Sequence, residues 1–205
     1  MEAVTAPELP KTLMIGCGAV AHEMVAVIKA NKWDHVTLTC LPADWHNTPT
    51  KIPDGMARKI AEGREEGYDK IICLYADCGT GGMLDALLEK ENVERIPGPH
   101  CYQFFATEPV FEEMMEEELG TFFLTDYFVR HFDRLIMDGF GISKHPELKD
   151  MLFSGYKRAI YLAQTKDPDL EEMAKDCAQK LELEYEYQFV GYGELETYMK
   201  DKAGA

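Results

Sequence analysis

An apolar run of strand length, a glycine-rich loop and a segment of helical period follow one another repeatedly in this chain, and that order leaves few folds open. Ile71, Ile72, Cys73 and Leu74 are a run short enough for a buried strand. The stretch Y-A-D-C-G-T-G-G from Tyr75 to Gly82 breaks it, and apolar helical spacing begins at about Met83. Thr12 to Ile15 repeats the arrangement, with Gly16-Cys17-Gly18 as the loop and Val20, Met24, Val27 and Ile28 as the helix stripe. Between them lie a strand in which Val36, Leu38 and Cys40 alternate with Thr37 and Thr39, and a helix near Gly55 to Arg64. The order βαβαβα, with crossovers of this length, predicts parallel strands joined right-handedly in an α/β, Rossmann-like sheet. R-I-P-G-P-H-C-Y from Arg95 to Tyr102 adds a fourth short strand and a turn stiffened by its prolines.

The pattern restarts beyond an acidic run from Glu112 to Glu118, read as a solvated helix face at the boundary between halves. Thr121 to Leu124 is a strand, Thr125-Asp126 a helix N-cap, and Phe128, Phe132, Leu135 and Ile136 a helix stripe. A strand at Ala159 to Ala163, a helix carrying Leu170, Met173, Ala174, Cys177 and Leu181, and a last strand with Tyr185, Tyr187 and Phe189 complete it. The expected organisation is two similar βαβ halves, residues 1–107 and 108–205, with a cleft between them.

Parallel strands place their carboxyl ends on one edge of a sheet, where ligands bind in open α/β folds. Cys17, Cys40 and Cys78 each terminate a strand and are expected on that edge, with His100 and Cys101 presented by the rigid turn nearby. Cys17, Cys78, Cys101 and His100 are therefore candidate metal ligands, with Cys40 in reserve. Such soft donors suit an iron–sulfur cluster or a cysteine-rich zinc site. Asp77, Gly79, Thr80 and Gly81 are candidate contacts to the bound group, the glycines through backbone N–H groups and Asp77 and Thr80 by holding the loop or ligand. Cys73 and Cys177 read as small core residues. A different class is a cofactor-independent racemase or isomerase acting on a small molecule, with Cys78 as base or nucleophile at a helix start. Against it, the second half has no cysteine at a strand end.

Charge narrows the partners. With 37 acidic residues against 21 basic, a net charge of −16 disfavours nucleic acid and anionic membrane. No stretch approaches the roughly 20 apolar residues of a bilayer span, and M-E-A-V-T-A-P-E-L-P lacks the regions of a signal peptide, so a cytoplasmic location is expected. In that reducing compartment six cysteines without a C-x-x-C pair point to ligands, reactive thiols or core residues, not disulfides. Asp44-Trp45-His46 matches the D-x-H start of a corrinoid-binding signature. Pro49 stands where its glycine belongs, so corrinoid binding is not expected.

Taken together, G-C-G-A at Gly16, L-P-A-x-x-H-N-x-P from Leu41, Y-A-D-C-G-T-G-G, R-I-P-G-P-H-C-Y, G-T-F-F-L-T-D from Gly120, Y-L-A-Q from Tyr161 and G-Y-G-E-L-E from Gly191 resemble one family over nearly the whole chain. It is a bacterial and archaeal family classed as a domain of unknown function. The resemblance implies a setting near corrinoid-dependent methyltransferases of one-carbon metabolism, whose components are then candidate partners beside a small-molecule ligand. By matching position, Cys17, His46, Asn47, Asp77, Cys78, Gly79, His100 and Cys101 are its polar motif residues, which adds His46 and Asn47 to the candidate cofactor contacts.

Overall fold

A computed structural model describes residues 9–203, so the start of the polar arm lies outside the described residues. The first sheet orders its strands β2-β1-β3-β4, all parallel: β1 Thr12–Cys17, β2 Val36–Leu41, β3 Lys70–Leu74 and β4 Glu94–Arg95. Alternation along β1 sends its side chains to opposite faces. Met14 joins Val20, Met24 and Val27, while Leu13 and Ile15 join Ile52, Met56, Ile60, Leu84 and Leu88. Helix α1 (Ala21–Asn31) thus covers one face, and α2 (Ile52–Glu65) with α3 (Met83–Glu91) the other.

A smaller parallel sheet orders β5 (Thr121–Thr125), β6 (Arg158–Ala163) and β7 (Glu184–Phe189) in sequence. Every residue of β6 is buried, as a central parallel strand covered on both faces requires. One face packs on α6 (Asp126–Arg130) and α8 (Pro168–Leu181), the other on α4 (Cys101–Ala106) and α5 (Glu108–Glu117). The fold is α/β and Rossmann-like. Cys73 and Cys177 are buried core residues, and the Thr125 hydroxyl accepts from the Phe128 N–H as the sequence predicts for an N-cap.

Three local features depart from the sequence reading. Leu41 to Pro49 is more regular than expected, holding tight 3-10 turns at Ala43–Asn47 and Pro49–Lys51. The Phe128 to Ile136 stripe is a short α6 followed by a π-helical turn, Asp133–Met137, and α7 (Glu147–Phe153) was not foreseen. Finally α9, Gly193–Ala203, crosses back to the first half. Its Leu195, Met199 and Ala203, one turn apart, are fully buried with Met14, Val20, Ile72 and Phe104. The Ala203 carbonyl lies 3.0 Å from His35 Nε2, and Lys70 Nζ donates to the Lys202 carbonyl at 2.6 Å. The first half's core therefore includes the carboxyl-terminal helix, which a division at residues 107 and 108 assigns to the second.

Candidate functional site

The register of the first sheet explains how loops distant in sequence meet. Because β3 and β4 pair in parallel with Cys73 opposite Arg95, the loops leaving them emerge side by side. The N–H groups of Asp77 and Cys78 donate to the carbonyls of Gly98 and Pro99 at 3.0 and 2.8 Å, laying one loop along the other. Arg95, gripping Asp85 at 2.5 Å, also donates to the carbonyls of Ile96 and Gly98 and pins the proline turn. The turn then feeds Cys101 into α4 directly beside Cys78. On the other side of β3, Cys17 ends β1, where its sulfur accepts the Ala19 N–H at 3.4 Å and opens the next turn.

Cys17, Cys78 and Cys101 consequently line one pocket, together with His46, Tyr75 and, from the second half, Phe128. Its free volume of about 20 Å³ admits roughly one water-sized body. Burial pushes all three thiols up, Cys78 to about 12, and next to burial come the neighbouring sulfurs for Cys78 and Cys101. At Cys17 the Ala19 N–H opposes the rise. Cys78 is held at φ +51°, a left-handed conformation that costs a non-glycine residue about 1–3 kcal/mol. The Tyr75 hydroxyl, next to the Cys17 thiol, is buried without a hydrogen-bond partner. Among the described residues no three His, Cys, Asp or Glu side chains stand as a ready-made metal site, so the thiols share the pocket but must turn to share an ion. Rotation about χ1 is the motion that would do it.

The two imidazoles separate. His46 lines the pocket, its ring edge-on to Phe128 at 4.7 Å. Desolvation there, then the nearby His100, lowers its pKa to about 4, although the residue as a whole is exposed on its outer side. His100 is exposed at the extended N-cap of α4, against Tyr102, and is not among the pocket-lining residues. Cys40 packs near Cys17 on the face of the sheet that faces α1 and does not line the pocket either.

Asp77 and Thr80 hold the loop. One Asp77 oxygen accepts from the Thr80 hydroxyl at 2.6 Å and the Gly82 N–H at 3.0 Å, and the other from the Gly81 N–H at 3.1 Å. These glycine donors are spent on Asp77, so they are not free to cradle an anion. Gly79 is exposed with its Cα side against Pro49. Asn47 ties the halves together: its Nδ2 donates to the Leu135 carbonyl in the π-helical turn at 2.7 Å, and its Oδ1 is buried without a partner. Tyr75 and Phe128 were missed in the sequence reading. Tyr75 directly follows the strand run and opens the glycine loop, which was the available signal. Phe128 reaches the pocket only through the docking of the halves, for which no local signal exists.

Chemically the pocket offers soft sulfur donors, an imidazole and a phenol in a dry setting. From the second half the pocket is lined by Phe128 and by no cysteine, so the opposing thiol of a two-lobe cysteine racemase is not among the lining residues on that side. A family model described as "Protein of unknown function (DUF1638)" matches residues 40–199. That span includes His46, Cys78, His100 and Cys101 and begins after Cys17. No curated protein and no solved structure matches the chain.

Proposed function

The chain belongs to the family of proteins of unknown function DUF1638, and from that premise we propose that it is a metal-binding protein holding one soft ion at Cys17, Cys78 and Cys101. His46, not His100, is the fourth donor. The observation that carries the reading is the gathering of three thiols and one imidazole, from four separate loops, around one small pocket. The donor set is that of a Cys3His zinc site, with zinc–sulfur bonds of about 2.3 Å. The volume favours a single ion. An iron–sulfur cluster, several atoms across, would require the halves to part. A bound cation would also offset the cost of ionising thiols that the pocket otherwise keeps neutral.

If His46 stays off the ion, the fourth position is open to a substrate, which is the arrangement of catalytic zinc. The metabolic role proposed is accessory or catalytic, in one-carbon methyl-transfer chemistry, with corrinoid methyltransferase components as partners; the support for this part is the sequence resemblance. The test is elemental analysis and absorption of protein purified without oxygen. Stoichiometric zinc in a colourless protein, lost in Cys17→Ser, Cys78→Ser and Cys101→Ser, is expected. Affinity should fall roughly tenfold to a hundredfold in His46→Ala while His100→Ala stays near wild type. A brown protein with iron and sulfide would replace the ion by a cluster. Protein that is metal-free and does not take up zinc or iron would overturn the reading.

A further inference from the structure

Parallel strands are ordinarily covered on both faces, yet β7 is exposed at five of its six residues. It ends the order β5-β6-β7, so its outer edge meets no further strand. The N–H groups of Glu184 and Val190 donate toward β6, to the carbonyls of Lys157 and Ala163 at 3.0 Å each. Backbone direction alternates along a strand, so Tyr185, Tyr187 and Phe189 turn their N–H and C=O groups away from β6. Among the described residues no turn or loop answers those groups. Lysine and proline, the usual guards of an open edge, are absent from E-Y-E-Y-Q-F.

The two faces of this edge differ in chemistry. By register, Glu186 shares a face with Ile160 on the α5 side, and Tyr187 and Phe189 share the α8 side with Tyr161 and Ala163. On the α5 side a cavity of about 360 Å³ is lined by Glu113, Met114 and Glu117 of α5, Ile160 of β6, and Glu186 and Gln188 of β7. Three carboxylates there face one guanidinium: buried Arg158 bridges Glu117 at 2.8 Å and Glu186 at 3.1 Å, and exposed Glu113 has no ion pair among the described residues. A lysine or arginine laid into the cavity would rest its stem along Met114 and Ile160 and its head among the acids. On the α8 side Tyr187 and Phe189 are 40% and 43% exposed, and Lys166 Nζ already lies 4.7 Å from the Phe189 ring centre. That side suits apolar residues. A second copy of this chain would bring a net charge of −16 and its own Glu184 and Glu186 against the same acids, so charge selects a basic partner over self-pairing.

We propose that the outer edge of β7 docks an extended basic segment of a partner protein as a fourth strand, its residues alternating between Lys or Arg toward α5 and apolar side chains toward α8. Main-chain hydrogen bonds to Tyr185, Tyr187 and Phe189 hold such a strand, and the acidic cavity selects it. The surface shares no lining residue with the thiol pocket, so it stands apart from the metal reading.

The experiment titrates the full chain with a labelled peptide matched in length to β7 and alternating lysine with valine, followed by fluorescence anisotropy at physiological salt. Two further peptides serve as controls: the same composition with lysines and valines in separate blocks, and glutamate in place of lysine. The alternating peptide should bind saturably, the block peptide about tenfold more weakly and the glutamate peptide more weakly still. Amide hydrogen exchange at Tyr185, Tyr187 and Phe189 should slow on binding. Tyr187→Pro, which removes an outward N–H where an edge strand tolerates proline, should lower affinity about tenfold. Glu113→Lys should lower it by a similar factor, about tenfold, and reports even if Tyr187→Pro folds poorly. Absence of saturable binding, equal binding of the block peptide, unprotected amides or full affinity in Glu113→Lys would each overturn the proposal. A dimer in sedimentation that Tyr187→Pro dissociates would assign the edge to a second copy and overturn it as well.

Discussion

Glu23 shows how a single side chain carries information that its neighbours hide. It sits three residues after Val20 and four before Val27, on the buried stripe of α1, and a carboxylate on an apolar stripe was the sequence signal for it. Burial, then repulsion from Asp126, outweighs its own N–H and Arg130 and raises its pKa from 4.5 to about 7, with His22, His131 and Tyr192 as the other polar groups around the interface cavity that they line. For an acid whose folded value lies above its unfolded one, stability is undiminished below the unfolded value and is lost as pH rises toward the folded value. Wild-type stability should therefore fall across the window from 4.5 to about 7. Glu23→Gln, which does not ionise, should gain on wild type by up to about 3 kcal/mol above that window and match it below. Urea unfolding at both ends of the range measures this, and a constant difference would show that Glu23 does not titrate there. Asp77 offers a second test. Removing its three acceptor bonds in Asp77→Ala should cost about 2 kcal/mol and release Cys78 from its left-handed conformation, lowering metal retention in a protein that still folds. Unchanged metal content would make Asp77 an ordinary turn residue.

Among the elements, α9 decides most. Met199 is fully buried in the first half's core, so Met199→Ala should cost about 2–5 kcal/mol, as a core truncation does. The entry to the helix is more particular. Gly193 has φ +50°, and a Cβ there would run into the carbonyl oxygens of Phe104 and Phe105 in α4, whereas Gly191, at φ +58°, has open space with only the Phe189 ring at 3.9 Å. Gly191→Ala should cost the left-handed penalty of about 1–2 kcal/mol. Gly193→Ala should cost clearly more, because α9 must lift from α4, and equal midpoints of thermal unfolding would contradict that close approach. Strand ends, by contrast, were legible in sequence: Cys17 closes β1 and the Thr125 cap opens α6 where the residues predict.

For the whole molecule, the crossing of α9 makes the two halves interdependent. A fragment of residues 1–107 would lack Leu195, Met199 and Ala203 and expose the apolar face they cover, so it should show no cooperative unfolding transition by circular dichroism, while the full chain shows one. A cooperative fragment would restore the simpler two-domain division. Among the described residues no helix is long and apolar enough to cross a membrane. Ligation by the first half, beside the interface, should still stabilise the fold by mass action: zinc at about a hundred times its dissociation constant adds about 2.7 kcal/mol. For a chain of this size that raises the melting temperature by roughly 5–10 °C.

The sequence by itself determined the parallel α/β order, the strand end that bears Cys17, and the core role of Cys73 and Cys177, whereas Cys78 lies four residues beyond the end of β3 in the glycine loop. Hydrophobic period and glycine breaks are local properties, readable within a dozen residues. Only the tertiary structure decided that Cys101 enters the pocket while His100, one residue before it, stays on the surface, since the N-cap is extended and the next residue helical. It alone brought His46 and Phe128 together, turned Asn47 into a tie between halves, and placed Glu23, Asp126 and Arg130 around one cavity. Those placements depend on how two sheets dock and where α9 returns. Docking is set by complementary surfaces whose residues lie far apart in the chain, so no local pattern records it.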